Sequence, residues 1–171
     1  MPVSASSKYF TLLGLNYSFK SGDITSSEIV EYYLTNIQKF DPNVKAFQNV
    51  YYESALGTAK ACDLAFLSGS RIGPFHGIPF VLKDICELKG QVTTGGSAVN
   101  IDRKSMETAV IATRLLSAGG ILLGKTKTVE FAFGGWGTNQ KMGTPKNPWD
   151  SQNHRVCGGS SSGSAAAIAA D

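Results

Sequence analysis

Apolar and polar positions along this chain recur at several periods, and the periods mark its elements. Across residues 25–40, Ile29, Tyr33, Leu34, Ile37 and Phe40 fall at helical spacing and so share one stripe. Thr25 stands three residues before Glu28, the spacing of a capping box, and Pro42 is expected to stop the helix. A short extended piece over 46–50 leads into a second helical run. There Ala55, Ala59, Cys62 and Phe66 share a face, and Ser68 with Gly69 closes it. After a loop over 71–77, residues 78–82 form an apolar run between Gly77 and Lys83-Asp84. It is too short for a helix and suits a strand buried on both faces.

A turn-rich stretch over 90–96 precedes a predicted helix over 106–117, with Ala109, Val110, Thr113 and Leu116 on one face and Gly119-Gly120 ending it. Residues 121–123 read as a second buried strand. Strand, helix, strand, with a crossover long enough for a parallel pair, predicts an α/β class. From Phe131 to Gly159 the chain is rich in glycine, proline, asparagine and tryptophan and shows no period; long ordered loops of this kind are usually functional. A glycine-serine turn over 158–164 then feeds an alanine-rich helix over 165–170. No internal repeat or domain linker interrupts residues 1–171. They read as one domain with helices over 1–70, the first core strands over 71–130, and a loop with the glycine-serine run over 131–171.

Composition narrows the class. Hydrophobic residues at 42% and charged residues at 17% are globular values. Sixteen basic against 13 acidic residues give +3, too little charge to predict a nucleic-acid or membrane partner. Cys62, Cys86 and Cys157 are odd in number and widely spaced, so neither disulfides nor a metal site is expected and a reducing compartment fits. Residues 1–10 lack a basic region followed by an apolar run, and no stretch is apolar for eighteen residues; a soluble, cytoplasmic protein is expected.

Two places hold chemistry. Lys83 follows Phe80, Val81 and Leu82, whose apolar surroundings would lower an ammonium pKa toward the range of a base. The competing reading is a strand-end ion pair with Asp84 or Glu87. The second place is Gly158 to Ala170. A phosphate loop would need lysine where Ser164 stands, and a flexible linker would not run into an apolar helix. What remains is a turn whose glycines allow close packing and whose serine hydroxyls converge on a site, as a proton relay or oxyanion contact requires.

The run Gly158-Gly159-Ser160-Ser161-Ser162-Gly163-Ser164 resembles the glycine-serine motif of the amidase signature family, and Gly77 to Asp84 resembles its lysine motif. Thr25-Ser26-Ser27-Glu28, Thr93 to Ser97, Ala118 to Thr126, Glu130-Phe131-Ala132 and Asn147-Pro148-Trp149 are similar to other pieces of its N-terminal half. The resemblance implies an α/β mixed-sheet fold flanked by helices, of which this chain is an incomplete, N-terminal part. It implies hydrolysis of a carboxylic amide through an acyl-serine, with no cofactor and no metal. A nucleophilic serine is assisted by a second serine on a cis peptide bond, itself bridged to a lysine. Carried over, the lysine is Lys83 and the bridging serine is Ser160. Chemistry alone leaves Ser161 and Ser162 as rivals. Phe133 and Gly134 resemble positions near the acyl pocket, with Phe133 as a core residue the equal alternative.

The family's nucleophile lies in a later glycine-serine motif, and only 11 residues follow Ser160. The 171-residue chain is therefore expected to be inactive by itself and poorly soluble, with unpaired sheet edges. Expected partners are a small amide substrate and, for a full-length protein, a second copy of itself. An alternative is the glutamine-hydrolysing A subunit of a tRNA-dependent amidotransferase, ranked second because the loop from Glu130 to Asn139 departs from that pattern. A non-catalytic short product is the third reading.

Overall fold

The computed structural model describes residues 11–150 and 152–170. Residues 1–10, read above for a leader, lie outside them. Contacts divide the chain into two compact units. One holds residues 11–35 with Tyr51–Phe80 and Arg114–Leu123; the other holds Asn36–Val50, Val81–Thr113 and the described residues from Gly124 on.

Helix α1 (Leu12–Ser21) starts at Thr11, whose hydroxyl accepts from the Gly14 amide at 3.0 Å. The sequence pattern does not announce it. Its inward stripe, Leu15, Ser18 and Phe19, has a serine at the centre, while Leu12 and Leu13 face outward. Helix α2 (Ser26–Val44) opens on the capping box: Thr25 Oγ1 accepts from the Glu28 amide, and Glu28 Oε2 from the Thr25 amide. Pro42 does not stop this helix, which runs two residues further. In the last turn proline removes one hydrogen bond but keeps a helical φ, and the end comes at Lys45, where φ is +58°. In the first unit Leu15, Phe19, Ile24, Ile29 and Ile78 make the core, with Tyr32, Tyr33 and Phe75 against it. Helix α3 (Tyr52–Leu67) buries Ala55, Ala59 and Cys62 of the face its period predicts and leaves Phe66, the fourth, half-buried.

Strands β1 (Phe47–Val50), β2 (Pro79–Lys83) and β3 (Ile121–Thr126) form one sheet in the order β1-β3-β2. β1 and β3 are antiparallel, with a bulge between Phe47 and Asn49. Ile121 N donates to Ile78 O and Asp84 N to Thr126 O, so β2 and β3 run the same way and the sheet is mixed. All six residues of central β3 are buried, but in edge strand β2 only Leu82 is. The expectation of a β2 covered on both faces fails because it sits at the edge. Helix α4 (Val110–Ser117) starts four residues later than predicted and buries Ala112 rather than the face of Val110 and Leu116. The Ala109 amide is tied to Glu87 O at 2.9 Å, and this anchor fixes the helix start and its rotation. Helix α5 (Ser162–Ala170) takes in the last serines of the glycine-serine run. Among the described residues no helix is long and apolar enough to cross a membrane.

Candidate active site

The site grows from the ends of β2 and β3 and the turn that enters α5. At the last residue of β2, Lys83 Nζ donates to Ser160 Oγ at 2.6 Å. The turn after Lys83 is tight, because its carbonyl accepts from both the Ile85 and Cys86 amides. On the other side, Ser160 O accepts from the Val129 amide at 3.1 Å and from Thr128 Oγ1 at 2.9 Å. The Gly159–Ser160 peptide is cis. The three serines separate cleanly by environment. Ser160 meets Lys83, Ser161 is exposed, and Ser162 Oγ is buried without a hydrogen bond.

The acids that would have competed for Lys83 are engaged elsewhere. Asp84 Oδ1 lies 2.7 Å from Lys125 Nζ, both side chains fully buried, and Asp84 Oδ2 accepts from the Thr94 amide and hydroxyl. Lys125 also donates to Thr93 Oγ1 at 2.6 Å. A buried ion pair is costly unless further hydrogen bonds support its two members, and Thr94 supports the carboxylate while Thr93 supports the ammonium. Glu87 pairs with Arg103 at 2.5 Å and accepts from the Ser105 hydroxyl. Burial pushes the Glu87 carboxyl up, but the Ser105 and Arg103 hydrogen bonds and the Arg103 charge outweigh it and hold it below the ordinary value.

Phe133 and Gly134 border a cavity of about 600 Å³ that Val129, Trp136 and Lys141 also line. Phe133 is 91% exposed, so the alternative that made it core does not hold. The cavity wall adjoins the serine turn: a Cβ at Gly159 would meet Gly134 O and Gly137 N, each at 2.7 Å. Asn139 holds the long loop in place, donating to Gly96 O and Thr128 O and accepting from the Lys141 and Met142 amides. Sequence reasoning gave no role to Lys125, Thr126 or Asn139. The signal for Lys125 was there, a lysine directly after Ile121-Leu122-Leu123-Gly124 in a strand with no exposed face, because a buried ammonium demands an acid. Among the described residues no three His, Cys, Asp or Glu side chains are grouped to hold a metal ion.

The family model described as Amidase matches residues 28–171. The chain belongs to the amidase family. The A subunit of glutamyl-tRNA(Gln) amidotransferase from Chloroflexus aurantiacus is 37% identical over 162 residues, covering 95% of this chain and 33% of that protein. The chain thus spans about a third of the length of the curated relatives it matches. Among solved structures, native peptide amidase from Stenotrophomonas maltophilia superposes with a TM-score of 0.78 at 30% identity, over 90% of this chain and 32% of that one. A chain from a vestigial protein complex that bears on the origins of an s-triazine catabolic enzyme gives 0.87 at 33% identity, over 92% and 34%. The α/β plan with a mixed sheet is therefore the amidase-family fold.

Proposed function

We propose that this amidase-family chain supplies the lysine and the bridging serine of a Ser-cisSer-Lys relay that hydrolyses the carbon-nitrogen bond of a carboxylic amide. The observation that carries the reading is the 2.6 Å contact between Lys83 Nζ and Ser160 Oγ beside an open cavity. In the neutral amine form, Lys83 accepts the Ser160 proton while Ser160 accepts the proton of an attacking serine supplied outside these 171 residues. The attacking oxygen bonds to the amide carbon, and the leaving amine takes the proton back through Ser160. An acyl-serine remains, which water releases by the same proton path in reverse. Phe133 and Gly134 border the acyl side, and the chemistry asks for no cofactor. Residues 1–171 act in this reading as one partial domain of a cytoplasmic, homodimeric hydrolase, a compartment consistent with three free cysteines.

The test is hydrolysis of a panel of primary and secondary amides by the whole protein carrying these residues. Lys83→Ala is expected to abolish turnover with the fold kept, Ser160→Ala to cost far more rate than Ser161→Ala, and the 171-residue polypeptide by itself to show none. Near-wild-type turnover by Lys83→Ala would overturn the reading. A second reading is favoured by the relative's name: the chain as part of an amidotransferase component that hydrolyses glutamine. Turnover confined to glutamine and dependent on co-purifying proteins would move the assignment there.

A further inference from the structure

Thr126, the last residue of β3, touches the chain on both sides of Lys83 and also the helix that Ser160 leads into. Its carbonyl accepts from the Asp84 amide at 2.9 Å, one residue after Lys83. Its hydroxyl donates to Leu82 O at 3.2 Å, one residue before Lys83. The same oxygen lies 2.7 Å from Ser164 Oγ in α5, four residues past Ser160. With the Thr126 proton given to Leu82, Ser164 is the donor in that pair, so a single hydroxyl spans β2 and α5. Thr126 is fully buried. The neighbouring Lys125 fixes the same turn a second time, through its ion pair with Asp84.

We propose that Thr126 is a positioning residue for the Lys83–Ser160 pair, its hydroxyl holding the strand that carries the lysine at working distance from the turn that carries the serine. The proposal rests on the reading in which Lys83 receives the Ser160 proton. A lysine side chain has four rotatable bonds, so where its nitrogen rests depends on how firmly its backbone origin is set against the partner. Ser160 is held from its own side by Val129 and Thr128. Beside the main-chain bond from Asp84 to Thr126 and the Lys125–Asp84 pair, the side-chain link between β2 and the helix that follows Ser160 is the hydroxyl shared by Leu82, Thr126 and Ser164. A relay needs its oxygen and nitrogen within hydrogen-bond reach, and a misplacement of about 1 Å costs on the order of 100-fold in rate.

The substitutions that isolate the hydroxyl are Thr126→Val, which keeps the shape, and Thr126→Ser, which keeps the oxygen. In the whole protein carrying these residues, the rate of covalent labelling by a fluorophosphonate probe reports activation of the attacking serine whatever the natural amide is. Thr126→Val is expected to be labelled about 10- to 100-fold more slowly while still melting cooperatively, and Thr126→Ser to return most of the rate. A merely structural threonine would lower the melting temperature in Thr126→Val and leave the labelling rate of the folded protein unchanged. Wild-type labelling of Thr126→Val, beside a Lys83→Ala protein that is not labelled, overturns the proposal and spares the relay. Wild-type labelling of Lys83→Ala overturns the relay and the proposal with it. Should Thr126→Val fail to fold, Ser164→Ala cuts the same bond from its half-buried side, and a wild-type rate there overturns the proposal equally.

Discussion

Gly159 precedes the serine that meets Lys83, and its missing side chain is what lets the turn lie against the long loop. The atoms a Cβ would strike at 2.7 Å are the carbonyl oxygen of Gly134 and the amide nitrogen of Gly137. Both are main chain, with no flexible tip to swing aside. Gly159→Ala must therefore push two backbone segments apart, at a cost of about 1–3 kcal/mol for overpacking of this kind. Gly57 is the control, since it lies within α3 and a Cβ there meets nothing within 4 Å. Alanine at Gly57 is expected to be neutral or to stabilise by about 0.5–1 kcal/mol. Thermal denaturation of the two variants checks the contrast, and equal melting temperatures would show that the turn and loop part without cost. The same environment shows why Ser160 is legible in the sequence only through resemblance. Three consecutive serines look alike as letters, and only the path of the turn sends one to Lys83, one to solvent and one inward.

At the scale of elements, α2 shows which interactions a sequence announces. Its capping box is local, three residues apart, and reads directly from Thr25 and Glu28. Its second cap comes from α3: Asp63 Oδ1 accepts from the Ser26 amide at 2.6 Å, and Oδ2 from the Ser27 amide at 3.0 Å and the Ser27 hydroxyl at 2.5 Å. A carboxylate is favoured at a helix N-terminus by the dipole as well as by the hydrogen bonds. Thr25→Ala is expected to cost about 1 kcal/mol and Asp63→Ala about 1.5–3 kcal/mol, because hydrogen bonds to a charged group are the stronger ones. Denaturant titration of both variants measures the order, and a costlier Thr25→Ala would mean the local box carries the helix start. Asp63 lies 37 residues from Ser26, beyond any periodic pattern. The same limit explains the other departures. The rotation of α4 is set by the Ala109–Glu87 contact, and the exposure of β2 by its place at the sheet edge. The positions of α2, α3 and the three strands, the lysine and the serine motif are local patterns, and those were readable. The Lys125–Asp84 pair and the Thr126 hydroxyl join segments about 40 residues apart, and only the fold brings them together.

At the scale of the whole molecule, what matters is where large apolar side chains remain uncovered. Scattered exposed leucines are ordinary on any protein surface. The aromatics around the cavity are different, because Phe131, Phe133 and Trp136 border one opening and are 59%, 91% and 75% exposed. Contiguous apolar surface of that kind drives association when nothing covers it. Two sheet edges, β1 and β2, add backbone that can template pairing. The 171-residue polypeptide expressed by itself is therefore expected to self-associate and to bind a hydrophobic dye such as anilinonaphthalene sulfonate. If the aromatic opening is the cause, Phe133→Ser together with Trp136→Ser reduces both signals without lowering the melting temperature, since neither ring is buried. If instead the sheet edges are the cause, the double variant scatters light as strongly as the parent and loses only dye binding. A monodisperse, dye-free parent with a sharp melting transition would show that the opening is not a contiguous apolar surface, and the residues bordering it would then need another account than acyl binding.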